Sequence, residues 1–162
     1  MNGGGVVQAR DGSWADWVFG NRTSLGAYAW GLLPMRLMLA VIFIVHGSQK
    51  AFGVFGGPGW SGTVGMISGT MHWPAAEFFA VLLIAAELGG GLFLLLGFAP
   101  RVGAFGIAAA MVVAMLTVHR GDGFFKTHLQ QLIVACALTL MIAGSGPLSV
   151  MPSGRKASGN GG

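Results

Sequence analysis

Charged residues are scarce in this sequence. They make up 9% of the 162 residues, whereas hydrophobic residues make up 54% and the mean hydropathy is +0.71. About a quarter of the residues in a typical soluble domain are charged. The composition therefore excludes a water-soluble globular domain and indicates an integral membrane protein with one domain.

Cysteine is nearly absent as well. The single cysteine, Cys136, lies in an apolar run, which excludes an internal disulfide, paired-thiol redox chemistry and a thiolate metal cluster. There is also no phosphate-binding glycine motif beside a lysine and a serine or threonine, and no clustered spacing of metal ligands. We expect no metal site and a subunit rather than a self-sufficient enzyme, so any redox role would need a bound or borrowed cofactor.

Long apolar runs, by contrast, are abundant. Four of them are long enough for a helix to cross the hydrocarbon core: Leu33 to Ala51, Trp73 to Gly97, Val102 to Val118, and His128 to Ile142 or Gly144. They predict an all-α membrane protein, an antiparallel four-transmembrane-helix bundle over residues 30–150. Residues 1–29 are expected to form a flexible tail with either an interfacial helix or a mobile lead, and residues 151–162 a disordered tail.

The distribution of positive charge predicts the orientation. Four spans place both termini on one side of the membrane, together with five basic residues against three on the other side. This predicts a multi-pass protein of the cell (plasma or inner) membrane with both termini in the cytoplasm. The basic residues form no run and are not interleaved with aromatics, so the expected partner is the lipid bilayer and not a nucleic acid.

Small residues recur at helical spacing where the spans should touch. Such positions allow close backbone approach in a membrane, where lipid supplies no hydrophobic drive for helix association. The predicted packing positions are Gly89, Gly90, Gly91, Gly106, Ala110 and Ala114.

Glu87 is the anomaly of the second span. It lies 14 residues after Trp73 and 10 before Gly97, where an unpaired charge would cost about 3 kcal/mol. The preferred explanation is a buried pair with Arg36, which enters the first span from the opposite, cytoplasmic side. The alternative is a protonated Glu87 that serves a bound ligand or carries protons.

Most other polar residues of the spans fall at one membrane face. This expected outer mouth contains all four histidines and is composed of His46, Lys50, His72, Glu77, His119, Asp122 and His128. It could bind a metal or haem or relay protons, or it could reflect only the preference of such residues for interfaces. Lys50 could snorkel or meet Glu77. His46 and His119 are the one pair placed to clamp a haem, but their spacing does not require it, so haem is not favoured.

Several of these residues form motifs that resemble the DoxX family of small four-helix membrane proteins. The matching segments are Arg36 with Ile42, Phe43 and His46-Gly47-Ser48-Gln49-Lys50; Glu87-Leu88-Gly89-Gly90-Gly91 with Gly97; Arg101; His119; and Gly144-Ser145-Gly146-Pro147-Leu148-Ser149. Two departures stand out. Many family members have an acid early in the fourth helix, where this chain has Gln130 and Gln131, and the closing motif often ends in an aspartate, where this chain has Val150 and Met151.

The resemblance implies a function as well as a fold. DoxX-like proteins include subunits of thiosulfate:quinone oxidoreductase and of an archaeal terminal quinol oxidase, components of redox-defence assemblies, and proteins that assist membrane-protein assembly. The resemblance thus favours a membrane subunit of a quinone-linked redox complex, with quinone as the candidate cofactor and an oxidoreductase subunit or a second copy as partner. A non-catalytic interaction or assembly protein and an oligomeric small-solute carrier are the alternatives.

Overall fold

The computed structural model describes residues 25–144 and 148–150, and these residues contain helices and no strand. The helices are α1 (Leu25–Phe52), α2 (Gly59–Thr70), α3 (Ala76–Ile84), α4 (Gly90–Leu96), α5 (Pro100–Thr117) and α6 (Phe124–Ala143). A short 3-10 turn, Val54–Gly56, follows α1, and a π-helical segment, Ala85–Gly89, joins α3 to α4. The predicted all-α class is confirmed.

Four helical stretches are long and apolar enough to cross a membrane, as the sequence predicts. They are Tyr28–Phe52, Ala76–Leu96, which we call the second span, Pro100–Thr117 and Phe124–Ala143. The second span starts three residues later than expected, because His72 and Ala75 adopt left-handed φ angles of 54° and 56° that turn the chain just before the helix.

The first span is longer than expected. The helix begins at Leu25 rather than at Leu33, with Pro34 inside it, so residues 25–29, assigned to the tail, belong to this helix. A proline removes one backbone hydrogen bond from a helix, and membrane helices tolerate this because neighbouring groups satisfy the freed carbonyl. The rest of the two predicted tails lies outside the described residues.

Glycine contacts set the register between the first two spans. A Cβ added at Gly47 would lie 2.6 Å from Leu88, and one added at Gly91 would lie 2.8 Å from the backbone nitrogen of Ile44. Later residues of α1 therefore meet earlier residues of the second span, and the two helices run in opposite directions. This register fixes which polar side chains can reach each other.

A second close contact joins α4 to α5. A Cβ added at Gly103 would lie 2.7 Å from the carbonyl oxygen of Gly90, and one added at Gly106 would lie 3.4 Å from Ala86 Cα. Gly89, predicted as a packing position, is corrected by the structure: an added Cβ there would meet nothing within 4 Å. The π-helical segment ends at this residue, which places it away from the contacts made by Gly90 and Gly91.

The chain after α6 returns to the end of α4. Ser149 Oγ donates a 2.6 Å hydrogen bond to the Gly97 carbonyl, and the Val150 N–H donates to the Leu96 carbonyl at 3.2 Å. These bonds satisfy carbonyl groups at a helix end that have no partner within the helix. We call the part of the bundle near α4, Arg36 and residues 148–150 the closed half, and the part near α2 and α3 the open half.

Candidate functional site

Glu87 lies near the middle of the second span. It is 11 residues after Ala76 and nine before Leu96, which corresponds to about 16 and 14 Å of helix. Its side chain is buried, and it belongs to the π-helical segment. Single π-helical turns inside α-helices are frequent at functional sites.

The partner of Glu87 is Lys50. The Lys50 Nζ lies 2.5 Å from Glu87 Oε2, and only 20% of the lysine side chain and 2% of the glutamate side chain are exposed. The expected Arg36–Glu87 pair is therefore wrong, and so is the suggested contact of Lys50 with Glu77. Lys50 does not snorkel to the membrane surface but lies at the depth of the buried acid.

The register of α1 explains this correction. Gly47 packs on Leu88, so Lys50, one turn later, lies beside Glu87. Arg36 precedes Gly47 by 11 residues, or about 16 Å along the helix, which is too far for its side chain to reach. Arg36 is nevertheless buried, and its Nη2 donates a 3.0 Å hydrogen bond to the Leu148 carbonyl in the closed half.

A cavity of about 900 Å³ lies above the Lys50–Glu87 pair in the open half. Its lining is mainly apolar and comes from α1, α2, the second span, α5 and α6. Five polar side chains line it: His46, Lys50, Glu87, His119 and Gln130. Ala110 and Ala114, predicted as packing positions on α5, also line this cavity, so they border open space rather than only a helix contact.

The cavity is roofed by α2 and open at the side. The helix α2 packs against α1 and α3 and buries Thr63 and Ile67. The single O–H of Thr63 is shared between the Gly59 carbonyl at 2.8 Å and the Lys50 carbonyl at 3.1 Å, and the second contact links α2 to the end of α1. Leu82, Phe105 and Leu129 line the cavity yet remain about half exposed, so the opening lies on the apolar outer surface of the bundle.

His119 connects the cavity with the loop between α5 and α6. Its Nδ1 lies 3.0 Å from Asp122 Oδ2, and Asp122 Oδ1 accepts a 2.9 Å hydrogen bond from Lys126 Nζ. Hydrogen bonds from His119 and Lys126 hold the pKa of Asp122 below its usual value. On the cavity side, Gln130 Nε2 lies 3.2 Å from His119 Nε2.

The expected outer mouth is only partly assembled. His46 lines the cavity, and its Nδ1 bonds to the Ile42 carbonyl one turn back on α1. The other three members, His72, Glu77 and His128, are exposed and do not line the cavity. Within the described ranges, no three histidine, cysteine or acidic residues are placed to hold a metal ion.

Gln130 is the site residue that the sequence marks only indirectly. It stands early in α6, where DoxX-like proteins often have an acid, and the structure places it against His119. Its Oε1 is buried and has no hydrogen-bond partner in the part of the chain that the structure describes. The glutamine at a position where the family pattern has an acid is therefore the sequence signal for this site.

Comparisons with known proteins agree with the motifs. A family model described as DoxX matches residues 31–120. A protein of Bacillus subtilis (strain 168) named "Putative oxidoreductase CatD" is 29% identical over 132 residues, which cover 81% of this chain and 92% of that protein. No solved structure matches the chain.

Proposed function

Because the chain belongs to the DoxX family, we propose that it is the membrane subunit of a quinone-linked redox complex and that its cavity binds the quinone. The observation that carries the proposal is the cavity itself, about 900 Å³ of mainly apolar space with a few polar groups at its walls. Small-molecule sites have this composition and a volume of about 300–1,000 Å³.

The side opening suits a ligand that arrives from the bilayer. Its rim residues, Leu82, Phe105 and Leu129, are apolar and partly exposed on helices that span the membrane. A quinone with an apolar tail could enter between these side chains without leaving the lipid.

Lys50 supplies the polar recognition. An ammonium group has three N–H donors, and only one is needed for the bond to Glu87. Another can donate to a quinone carbonyl, while Glu87 neutralises the charge that would otherwise be costly at this depth.

The partner in this proposal is an oxidoreductase. The Bacillus relative carries that word in its name, whereas this chain has one cysteine and no pair of thiols with which to accept electrons. Its own contribution is to hold the quinone, and the partner exchanges the electrons. Gentle purification followed by mass spectrometry should recover an oxidoreductase subunit; a bundle that purifies without one would count against the complex.

Photolabelling with an azido-quinone in lipid nanodiscs tests the binding site. We expect label on peptides from the cavity wall, competed away by unlabelled ubiquinone-1, and weaker labelling in the Lys50→Met/Glu87→Gln double variant. Removing both charges together avoids leaving one of them buried alone. The matched control is Lys126→Met, since Lys126 is exposed and lies outside the cavity. Labelling that resists competition, or that is unchanged in the double variant, would refute the quinone site.

The proposal also has an orientation. With both termini in the cytoplasm of a cell membrane, the closed half faces inward and the cavity lies toward the outer face. Reporter fusions at the C-terminus and in the loop containing Arg120 and Lys126 test this arrangement. An external C-terminal reporter would reverse it.

A further inference from the structure

The hydrogen bonds of His119 define its tautomer. Asp122 is an acceptor because its lowered pKa keeps it ionised, so the His119 Nδ1 must carry the proton of the 3.0 Å bond between them. In the neutral ring Nε2 is then an acceptor, and it receives the N–H of the Gln130 amide at 3.2 Å. The neutral histidine therefore presents a proton-accepting nitrogen at the wall of the cavity.

A second hydrogen-bonding arrangement fits the same positions. If Nε2 takes up a proton, it becomes a donor and can no longer face the amide N–H. Turning the Gln130 amide by half a rotation would bring Oε1 to face it, and this oxygen is buried with no partner among the described residues. Both ring nitrogens would then donate, one to a carboxylate and one to an amide oxygen, and such charge-assisted bonds are strong.

The charges around His119 allow this change. Asp122 faces the ring from the loop and is itself paired with Lys126 at the start of α6. Across the cavity lie His46 and the Lys50–Glu87 pair, whose two charges offset each other. Asp122 is thus the charged group in direct contact with the ring.

We infer that His119 is the proton-exchange residue of the cavity: a ligand hydroxyl replaces the Gln130 N–H at Nε2 and gives up its proton there, and the resulting imidazolium keeps its Nδ1 hydrogen bond to the ionised Asp122. The O–H bond of the ligand breaks as the N–H bond forms, and the ligand keeps the electron pair. The ligand oxygen becomes negative as the ring becomes positive, so the total charge does not change in this step. The ring releases the proton to water, since 30% of the His119 side chain and 27% of the Asp122 side chain are exposed. Only the identity of the ligand, a quinol, rests on the proposed function.

Nitrogen NMR of histidine-labelled protein in nanodiscs tests the inference without any ligand. At high pH we expect His119 to carry its proton at Nδ1 alone, and on acidification we expect both nitrogens to become protonated while the Gln130 amide signals change in parallel. Gln130→Leu removes the acceptor and should shift the protonation to lower pH. The neighbouring Gln131→Leu is the matched control, because Gln131 is exposed and bonds to Thr127 Oγ1.

Two outcomes would overturn the inference. One is a neutral His119 that carries its proton at Nε2. The other is a Gln130→Leu variant that titrates as the unaltered protein does, which would remove the amide from the exchange. Either result stands whether or not the protein binds a quinone.

Ligand binding supplies the second measurement. A quinol hydroxyl needs neutral Nε2 as its acceptor, whereas a quinone carbonyl needs a donor. On acidification through the His119 titration, affinity for ubiquinol-1 should fall by up to tenfold per pH unit while affinity for ubiquinone-1 rises. His119→Gln should flatten both profiles, and His128→Gln should flatten neither. Parallel profiles for the two ligands would refute the role of His119, whereas binding of neither ligand would refute the quinone site.

Discussion

The two halves of this bundle are built from the same helices but packed in different ways. In the closed half, glycines of α4 and α5 bring the backbones into contact, with Gly103 facing Gly90. In the open half, α3 has no comparably close packing against α5 among the described elements. The π-helical segment with Glu87 lies at the boundary between the two halves. The Lys50–Glu87 pair therefore lines the end of the cavity that is nearest the closed half.

Side-chain size explains the difference. The second span has large residues such as Phe79 and Leu82 before Glu87 and the glycines Gly90 and Gly91 after it. Membrane helices approach closely where side chains are small and stay apart where they are large. The order of residues along one helix therefore produces a closely packed half and a half with a cavity that leaves room for a ligand.

Breaking the Lys50–Glu87 pair should have the largest effect on stability. Lys50→Met leaves a buried carboxylate without its cation, which we expect to lower the free energy of unfolding by about 3–5 kcal/mol. The Lys50→Met/Glu87→Gln double variant should recover most of this loss, since neither charge remains. Thermal unfolding in detergent measures both, with Arg120→Met as control, since Arg120 is exposed. A single variant as stable as the unaltered protein would show that the pair does not hold the boundary between the halves.

Arg36 should rank next, because it fastens the closed half. Arg36→Met removes the charged donor from the Leu148 carbonyl, and hydrogen bonds to charged groups contribute about 1.5–3 kcal/mol. Arg101→Met is the matched control, since Arg101 is exposed and its contact with the Ile142 carbonyl is 3.5 Å long. Unfolding midpoints compare the two variants. An equal loss in both would mean that burial of Arg36 adds nothing to the closed half.

Two glycine substitutions test the packing of the closed half. Gly103→Ala places a Cβ 2.7 Å from the Gly90 carbonyl oxygen, and we expect this overpacking to destabilise the protein by about 1–3 kcal/mol. Gly89→Ala meets nothing within 4 Å and should be neutral or stabilising by up to about 1 kcal/mol. The same unfolding measurement distinguishes them. Similar values for both would contradict the role assigned to the close α4–α5 contact.

The sequence predicts the four spans well because bilayer thickness sets the length of an apolar helix. It does not predict which charges meet, because that depends on how far one helix is shifted along another. The sequence favours Arg36 as the partner of Glu87 and leaves Lys50 to snorkel or to meet Glu77. The contact of Gly47 with Leu88 shifts α1 so that its end lies beside the middle of the second span. The helix α2 then covers the end of α1 and the cavity beside it.

Sequence patterns do not predict the cavity either. Ala110 and Ala114 have the spacing of a helix contact, yet both border open space, because the large side chains of α3 keep that helix away. The sequence predicts His119 and Asp122 within one group of polar residues. Their bond to each other and the contact with Gln130 require the turn between α5 and α6, which no spacing rule specifies.

The smallest effect is expected at Asp122, on the rim of the open half. Its folded-state pKa is lowered by hydrogen bonds from His119 and Lys126, so the unfolded chain binds the proton more tightly. The stabilisation is therefore complete above the usual aspartate range and is lost as the pH falls through the lowered folded-state value. The difference in unfolding midpoint between the unaltered protein and Asp122→Asn should shrink on acidification from neutral pH. A difference for Asp122→Asn that stays constant with pH would mean that its ionised form does not support this rim.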